Sequence, residues 1–209
     1  MMKTTAELSS HDRILRAAKQ LFAQNGYENT STVAIARDAG TSESQLMKHF
    51  GSKQGLLMAI LDRGWNATIE RIKVTAPSNS SADRLVAMLT AATIEFENDA
   101  QFKILAALEA RRVRKDSNEV MVSRGYLRFR ELFDRVLIDM RTEGAIRPDL
   151  NLDAVRAAIL GFADGLWHDQ VIASRAGIPS NYGFDDIQKV LELLLEVFQE
   201  QPARHAKAS

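Results

Sequence analysis

Cysteine is missing altogether from this 209-residue chain. That excludes disulfide scaffolds, thiolate metal sites, iron–sulfur clusters and cysteine nucleophiles, and it agrees with a reducing cytoplasm. Net charge is missing too, since 27 Lys and Arg balance 27 Asp and Glu. Over the whole chain, that balance argues against a histone-like or uniformly basic nucleic-acid binder. It also removes the mutual repulsion that keeps copies apart, so self-association is favoured. The N-terminus, MMKTTAELSSHDR, lacks the apolar core of a secretory signal. No apolar run reaches the roughly 18 residues of a membrane span. A cytoplasmic protein without a membrane partner is expected. Proline is scarce, with four in all, and neither strand-period alternation nor an internal repeat is found.

What remains is helical. With 45% hydrophobic and 26% charged residues, the chain has the mass to bury the core of one large domain or two small ones. Ile14, Leu15, Ala18, Leu21 and Phe22 recur at helical spacing, behind the capping candidates Ser9 and Ser10 and ahead of Gly26. Thr30-Ser31 offers a cap for a short second helix, Thr32 to Ala39, which Gly40 stops. Ser42 followed three residues later by Gln45 has the form of a capping box opening a third short helix that Gly51 ends. Ser52 can cap a longer helix through Leu56, Leu57, Ile60, Leu61 and Trp65. The polar, proline-containing segment 76–81 is the clearest break. It predicts domains at 8–72 and 73–203. Longer helices follow, including one from about Asn118 to Thr142, one from about Leu152 to Arg175 and one from Phe184 to Gln199. The expected fold is all-α: a small N-terminal domain and a larger C-terminal helical one.

Two short capped helices joined by Ala39-Gly40-Thr41-Ser42 have the form of a helix-turn-helix. Leu46 and Phe50 lie one turn apart and should face inward, leaving Glu43, Ser44, Gln45, Met47 and Lys48 for a major groove. Gln45 can bond adenine bidentately, Ser44 either kind of base, and Glu43 can accept from cytosine. Lys48, His49 and Lys53 suit phosphate or base contacts, and Thr30, Ser31, Thr41 and Ser42 lie where hydroxyls and helix N-terminal amides meet phosphate. A helical hairpin with its polar residues turned to water would carry the same composition.

The stretch from Ile14 to Leu57 also resembles the N-terminal domain of the tetracycline-repressor (TetR/AcrR) family of bacterial transcriptional regulators. Gly26-Tyr27, Thr30-Ser31, Ile35-Ala36, Ala39-Gly40, Ser42, Leu46, His49-Phe50, Ser52-Lys53 and Leu56-Leu57 stand at the family spacing. The resemblance covers about a quarter of the chain. It implies a DNA-binding regulator without enzymatic activity, more often a repressor, that binds a double-stranded DNA operator. Met47 replaces a tyrosine usual in the family, which loses a phosphate-bonding hydroxyl, and Glu43 and Ser44 stand where lysine and glycine are frequent. The operator sequence is therefore not transferable.

Charge is distributed unevenly. Residues 1–75 hold ten Lys and Arg against seven Asp and Glu, and the remainder holds 17 against 20. A modestly basic head precedes a modestly acidic body, so zero is an average. In the last helix, VLELLLEVF (190–198) is apolar over most of its circumference, which calls for cover on more than one side. Ala157, Gly161 and Gly165 form a small-residue stripe on the helix before it. Together with Leu191, Leu194, Leu195 and Phe198, these residues point to a homodimer, and the family resemblance implies a four-helix interface from the same two helices. The resemblance further implies a pocket for an unknown small-molecule effector in the middle helices, with Met88, Phe96, Phe102, Glu109, Tyr126, Phe129 and Trp167 as candidate lining. Aromatic residues at helical spacing equally just pack. No cofactor motif is present. Asp164 and His168 share a helix face, as metal ligands or an enzyme's polar pair could, but a third ligand is missing. A purely structural helical adaptor is a third reading.

Overall fold

A computed structural model describes residues 8–75, 80–109, 122–179, 182 and 184–198, and all regular structure among these is α-helical. Helix α1 (Ser10–Asn25) begins where the Ser9 hydroxyl accepts the amide of Asp12 at 3.1 Å, and ends at Gly26, whose φ of +82° favours glycine. Helix α2 (Thr32–Asp38) is capped by Ser31 on Ala34, and α3 (Glu43–Phe50) by Ser42 on Gln45, both at 3.1 Å. Ser52 accepts the amide of Gly55 at 2.9 Å to start α4 (Lys53–Thr75). A side-chain cap of this kind contributes about 1 kcal/mol, so four in the first fifty-odd residues define these helix starts locally.

Helices α5 (Ser81–Asn98), α6 (Ala100–Glu109), α7 (Arg124–Thr142), α8 (Leu152–Ala176) and α9 (Phe184–Phe198) follow. The expected start of α7 near Asn118 is corrected. Ser123 caps Tyr126 at 3.2 Å and the helix opens at Arg124, while residue 118 lies outside the described part. Asn151 caps Ala154 at the start of α8, and Gly177 ends it in the left-handed region.

By packing, the chain divides into two compact units, Met1–Ala67 with Phe96–Leu127 and Thr68–Glu95 with Arg128–Ser209, considered for their described residues. The first therefore takes in a stretch, Phe96–Leu127, that a single cut after residue 72 assigns to the second half. Its core is built from Ile14, Ala18 and Phe22 of α1, Ile35 of α2, Leu46 of α3 and Leu56 and Leu61 of α4, all fully buried. Lys19 of α1 pairs with Asp99 at the head of α6. Trp65 meets Phe96, Phe102 and Tyr126 edge-on, with ring centroids 5.3–5.9 Å apart, the arrangement aromatic quadrupoles prefer.

The second unit buries Leu85, Met88 and Leu89 of α5, Phe129, Phe133, Leu137 and Met140 of α7, and Ile159 of α8. Ionic links surround this core. Arg71 meets Glu95 at 2.5 Å, Arg84 meets Asp139 at 2.9 Å, and Arg156 meets Asp134 at 2.6 Å. Among the described residues, no helix is long and apolar enough to cross a membrane.

Candidate nucleic-acid interface

Helix α3 is anchored by Leu46, which is fully buried, and successive residues around a helix turn by about 100°. Ser44 and Lys48 therefore lie nearly opposite Leu46, and both are exposed. Glu43 and Met47 fall on one flank, Gln45 and His49 on the other.

Each flank is tied to a neighbouring helix. On the first, the Thr32 hydroxyl at the start of α2 donates to the Glu43 carboxylate. On the second, His49 Nε2 lies 3.0 Å from the Ser10 hydroxyl and 3.4 Å from Gln45 Nε2. His11 completes this side. It stacks on Phe50 with centroids 4.8 Å apart and meets His49 edge-on at 5.5 Å. Next to it, the hydrogen bond from the Ser9 hydroxyl, with Arg63 at 3.1 Å, holds the Asp12 carboxyl below its ordinary range.

The other sequence-derived residues have distinct surroundings. Ser31 and Ser42 are exposed caps whose oxygens face their own helix amides. Thr41 is half-buried in the turn, and its amide donates to the Ala36 carbonyl at 2.9 Å. Lys53 sits over the Tyr27 ring, 4.4 Å from its centroid, and donates to the Glu28 carbonyl at 3.3 Å. Thr30 requires a correction. Only 3% exposed, it donates its hydroxyl inward to the Gly26 carbonyl at 2.8 Å, so that hydroxyl is not presented to phosphate. Instead it braces the loop between α1 and α2.

Sequence reasoning missed the contribution of α1. Arg13 Nε donates to the Ala39 carbonyl at 3.0 Å, holding the turn between α2 and α3 from 26 residues away. No local pattern marks such a contact. Arg37, exposed in the last turn of α2, adds a cation that the motif reading did not single out.

The residues expected to line a pocket separate into the two units. Phe96, Phe102 and Tyr126 gather around Trp65 in the first, whereas Met88 and Phe129 are core residues of the second. The side chains of Glu109 and Trp167 lie outside the described part. Of the residues expected at a dimer interface, Ala157, Gly161 and Gly165 are exposed and Leu194 and Phe198 half-buried. Leu191 and Leu195 need a correction, because the chain's own helices bury them at 4% and 5% exposure. Leu193 and Val197 are exposed on α9 in their place, at 61% and 68%. Asp164 is exposed and His168 half-buried. Neighbouring Asp169 accepts from the Tyr182 hydroxyl at 2.9 Å, and among the described residues no group of three His, Asp or Glu could hold a metal.

Residues 14–60 match the family model for bacterial regulatory proteins of the tetR family. The transcriptional regulator UidR of Escherichia coli strain K12 is 25% identical over 168 residues, which is 80% of this chain and 84% of that protein. The fatty acid metabolism regulator protein of Bacillus subtilis strain 168 is 25% identical over 157 residues, covering 73% and 78%. Among solved structures, the transcriptional regulator FadR of Bacillus subtilis in complex with stearoyl-CoA superposes with a TM-score of 0.74 at 21% identity, covering 91% of this chain and all of that one. These relatives are regulators. The helix-turn-helix head thus matches the tetR-family model over residues 14–60, and over most of its length the chain is similar to transcriptional regulators of that kind.

Proposed function

We propose that the protein is a cytoplasmic, effector-released repressor that binds a pseudo-palindromic operator as a homodimer. The observation that carries this reading is α3 itself: one buried anchor, Leu46, and an exposed outer arc formed by Ser44, Met47 and Lys48. Residues 8–72 read DNA, and residues 73–203 hold the effector and the second subunit. Amides at the starts of α2 and α3 approach phosphate beside Ser31 and Ser42, while Lys53 and Lys48 neutralise it. Helix macrodipoles add to this attraction at both N-termini.

Pairing is supported by the apolar residues that α9 leaves in water, Val190, Leu193 and Val197. On α8, a Cβ added at Gly161 or Gly165 meets nothing within 4 Å, so a partner helix can approach closely. A two-fold dimer sets its recognition helices about 34–36 Å apart, on successive major grooves. Stearoyl-CoA in the Bacillus subtilis relative makes long-chain acyl-CoA the effector class to test first. An effector releases DNA by binding the DNA-incompetent conformation more tightly, so operator must weaken acyl-CoA binding by the same factor.

The test combines light scattering, footprinting on operator selected from random duplexes, and titration with acyl-CoA. A dimer mass, a footprint with two half-sites and release by acyl-CoA are expected. A monomer, or equal affinity for selected and random DNA, overturns the repressor reading. Release by another ligand class but not by acyl-CoA overturns the effector assignment alone.

A further inference from the structure

The polar side chains on both flanks of α3 are held by neighbouring helices. Glu43 accepts from Thr32, while His49, with Gln45 beside it, lies against Ser10. Ser42 is engaged as the cap. Met47, at the edge of the outer arc next to Glu43, is a large apolar side chain left 41% exposed. Its neighbours on that arc, Ser44 and Lys48, are also exposed. A thioether has no proton to donate to phosphate and is only a weak acceptor. In the major groove, the apolar feature that distinguishes one base pair from another is the C5-methyl of thymine.

We propose that Met47 is a specificity-determining residue that reads the methyl group of one thymine in each half-site. The assignment rests on α3 being the groove-reading helix. A flexible, polarisable thioether suits the task, because it can follow a methyl whose position shifts with local groove geometry. Glu43, one turn before Met47, is directed to Thr32 and leaves that part of the groove to the methionine. The contact is a choice of base and not an anchor, so losing it lowers discrimination more than overall affinity.

The experiment uses the full chain and its selected operator, with each thymine replaced in turn by deoxyuridine, which removes the methyl and nothing else. One thymine per half-site should respond. Its replacement should weaken the parent protein about three- to fivefold, the worth of one buried methyl. Met47→Ala should bind the thymine and deoxyuridine operators equally, whereas Ser44→Ala should keep the parent's preference. Unchanged helical circular dichroism and unchanged binding to random duplex establish that Met47→Ala retains a folded head. Either no responsive thymine, or an undiminished deoxyuridine effect in Met47→Ala, overturns the proposal while specific binding stands. Failure to enrich any operator overturns the groove-reading role of α3 and this assignment with it.

Discussion

Asp62 of α4 accepts the backbone amide of Gly125, in the first turn of α7, at 2.6 Å. The approach is possible because residue 125 has no side chain. An added Cβ would lie 2.7 Å from the Cβ of Trp65 and 3.1 Å from the Cα of Asp62. Gly125→Ala must therefore displace α7 from α4 and strain the Trp65 ring cluster. A stability loss of about 1–3 kcal/mol is expected from this overpacking, read as a fall in Tm of several degrees at about 2–4 °C per kcal/mol. A Tm equal to that of the parent would show that the junction yields freely.

Substitutions on α9 should separate folding from pairing. Leu195→Ala removes a side chain buried within the chain, and about 2–5 kcal/mol of stability should go with it. Leu193→Glu changes an exposed position, so the subunit should keep its fold while light scattering reports a monomer. Unfolding of Leu193→Glu, or dimerisation unchanged by it, would contradict this division of roles.

Lys53 should act on DNA without regard to sequence. Its ammonium is held over the Tyr27 ring, and the role proposed for it is a phosphate contact. Lys53→Ala should weaken binding to operator and random duplex alike and lower the slope of log affinity against log salt by about one. Gln45→Ala should instead relax preference at particular bases, as expected of a base-edge contact. Binding titrations from low to high salt distinguish the two. If Lys53→Ala left the slope unchanged, the phosphate role would be lost.

Acid should loosen the second unit through Glu143. The hydroxyl and amide of Ser81 donate to its carboxylate, at 2.5 and 3.1 Å, and hold its pKa below the ordinary range of a glutamate. A carboxyl with a lowered folded pKa contributes stability that is present above its ordinary unfolded pKa and is lost as pH falls through the lower folded value. Thermal melts from pH 6 downward should therefore show a steeper decline for the parent than for Glu143→Gln. Parallel declines would remove Glu143 as the cause.

Much of the head was legible in the chain itself. Ser9, Ser31, Ser42 and Ser52 cap helices because a hydroxyl reaches an amide three residues on, a contact requiring no tertiary partner. Gly26 and Gly51 end helices at positive φ for an equally local reason. The outward arc of α3 follows from helical period and one inward leucine. The start of α7 was misplaced because the Ser123 cap lies inside a stretch whose periodicity alone suggests an earlier beginning.

Sequence by itself thus determined the all-helical class, the helix-turn-helix and the outward arc of α3, since these depend on contacts within one or two turns. Tertiary structure alone decided that Thr30 faces inward and that Glu43 is held by Thr32. It also decided that Arg13 braces the turn after α2, and that Leu191 and Leu195 are buried while Leu193 and Val197 face water. The physical reason is the same in each case. A helix fixes the angular position of its side chains, but which angle is covered depends on neighbouring helices distant in sequence, and their placement is a property of the packed core.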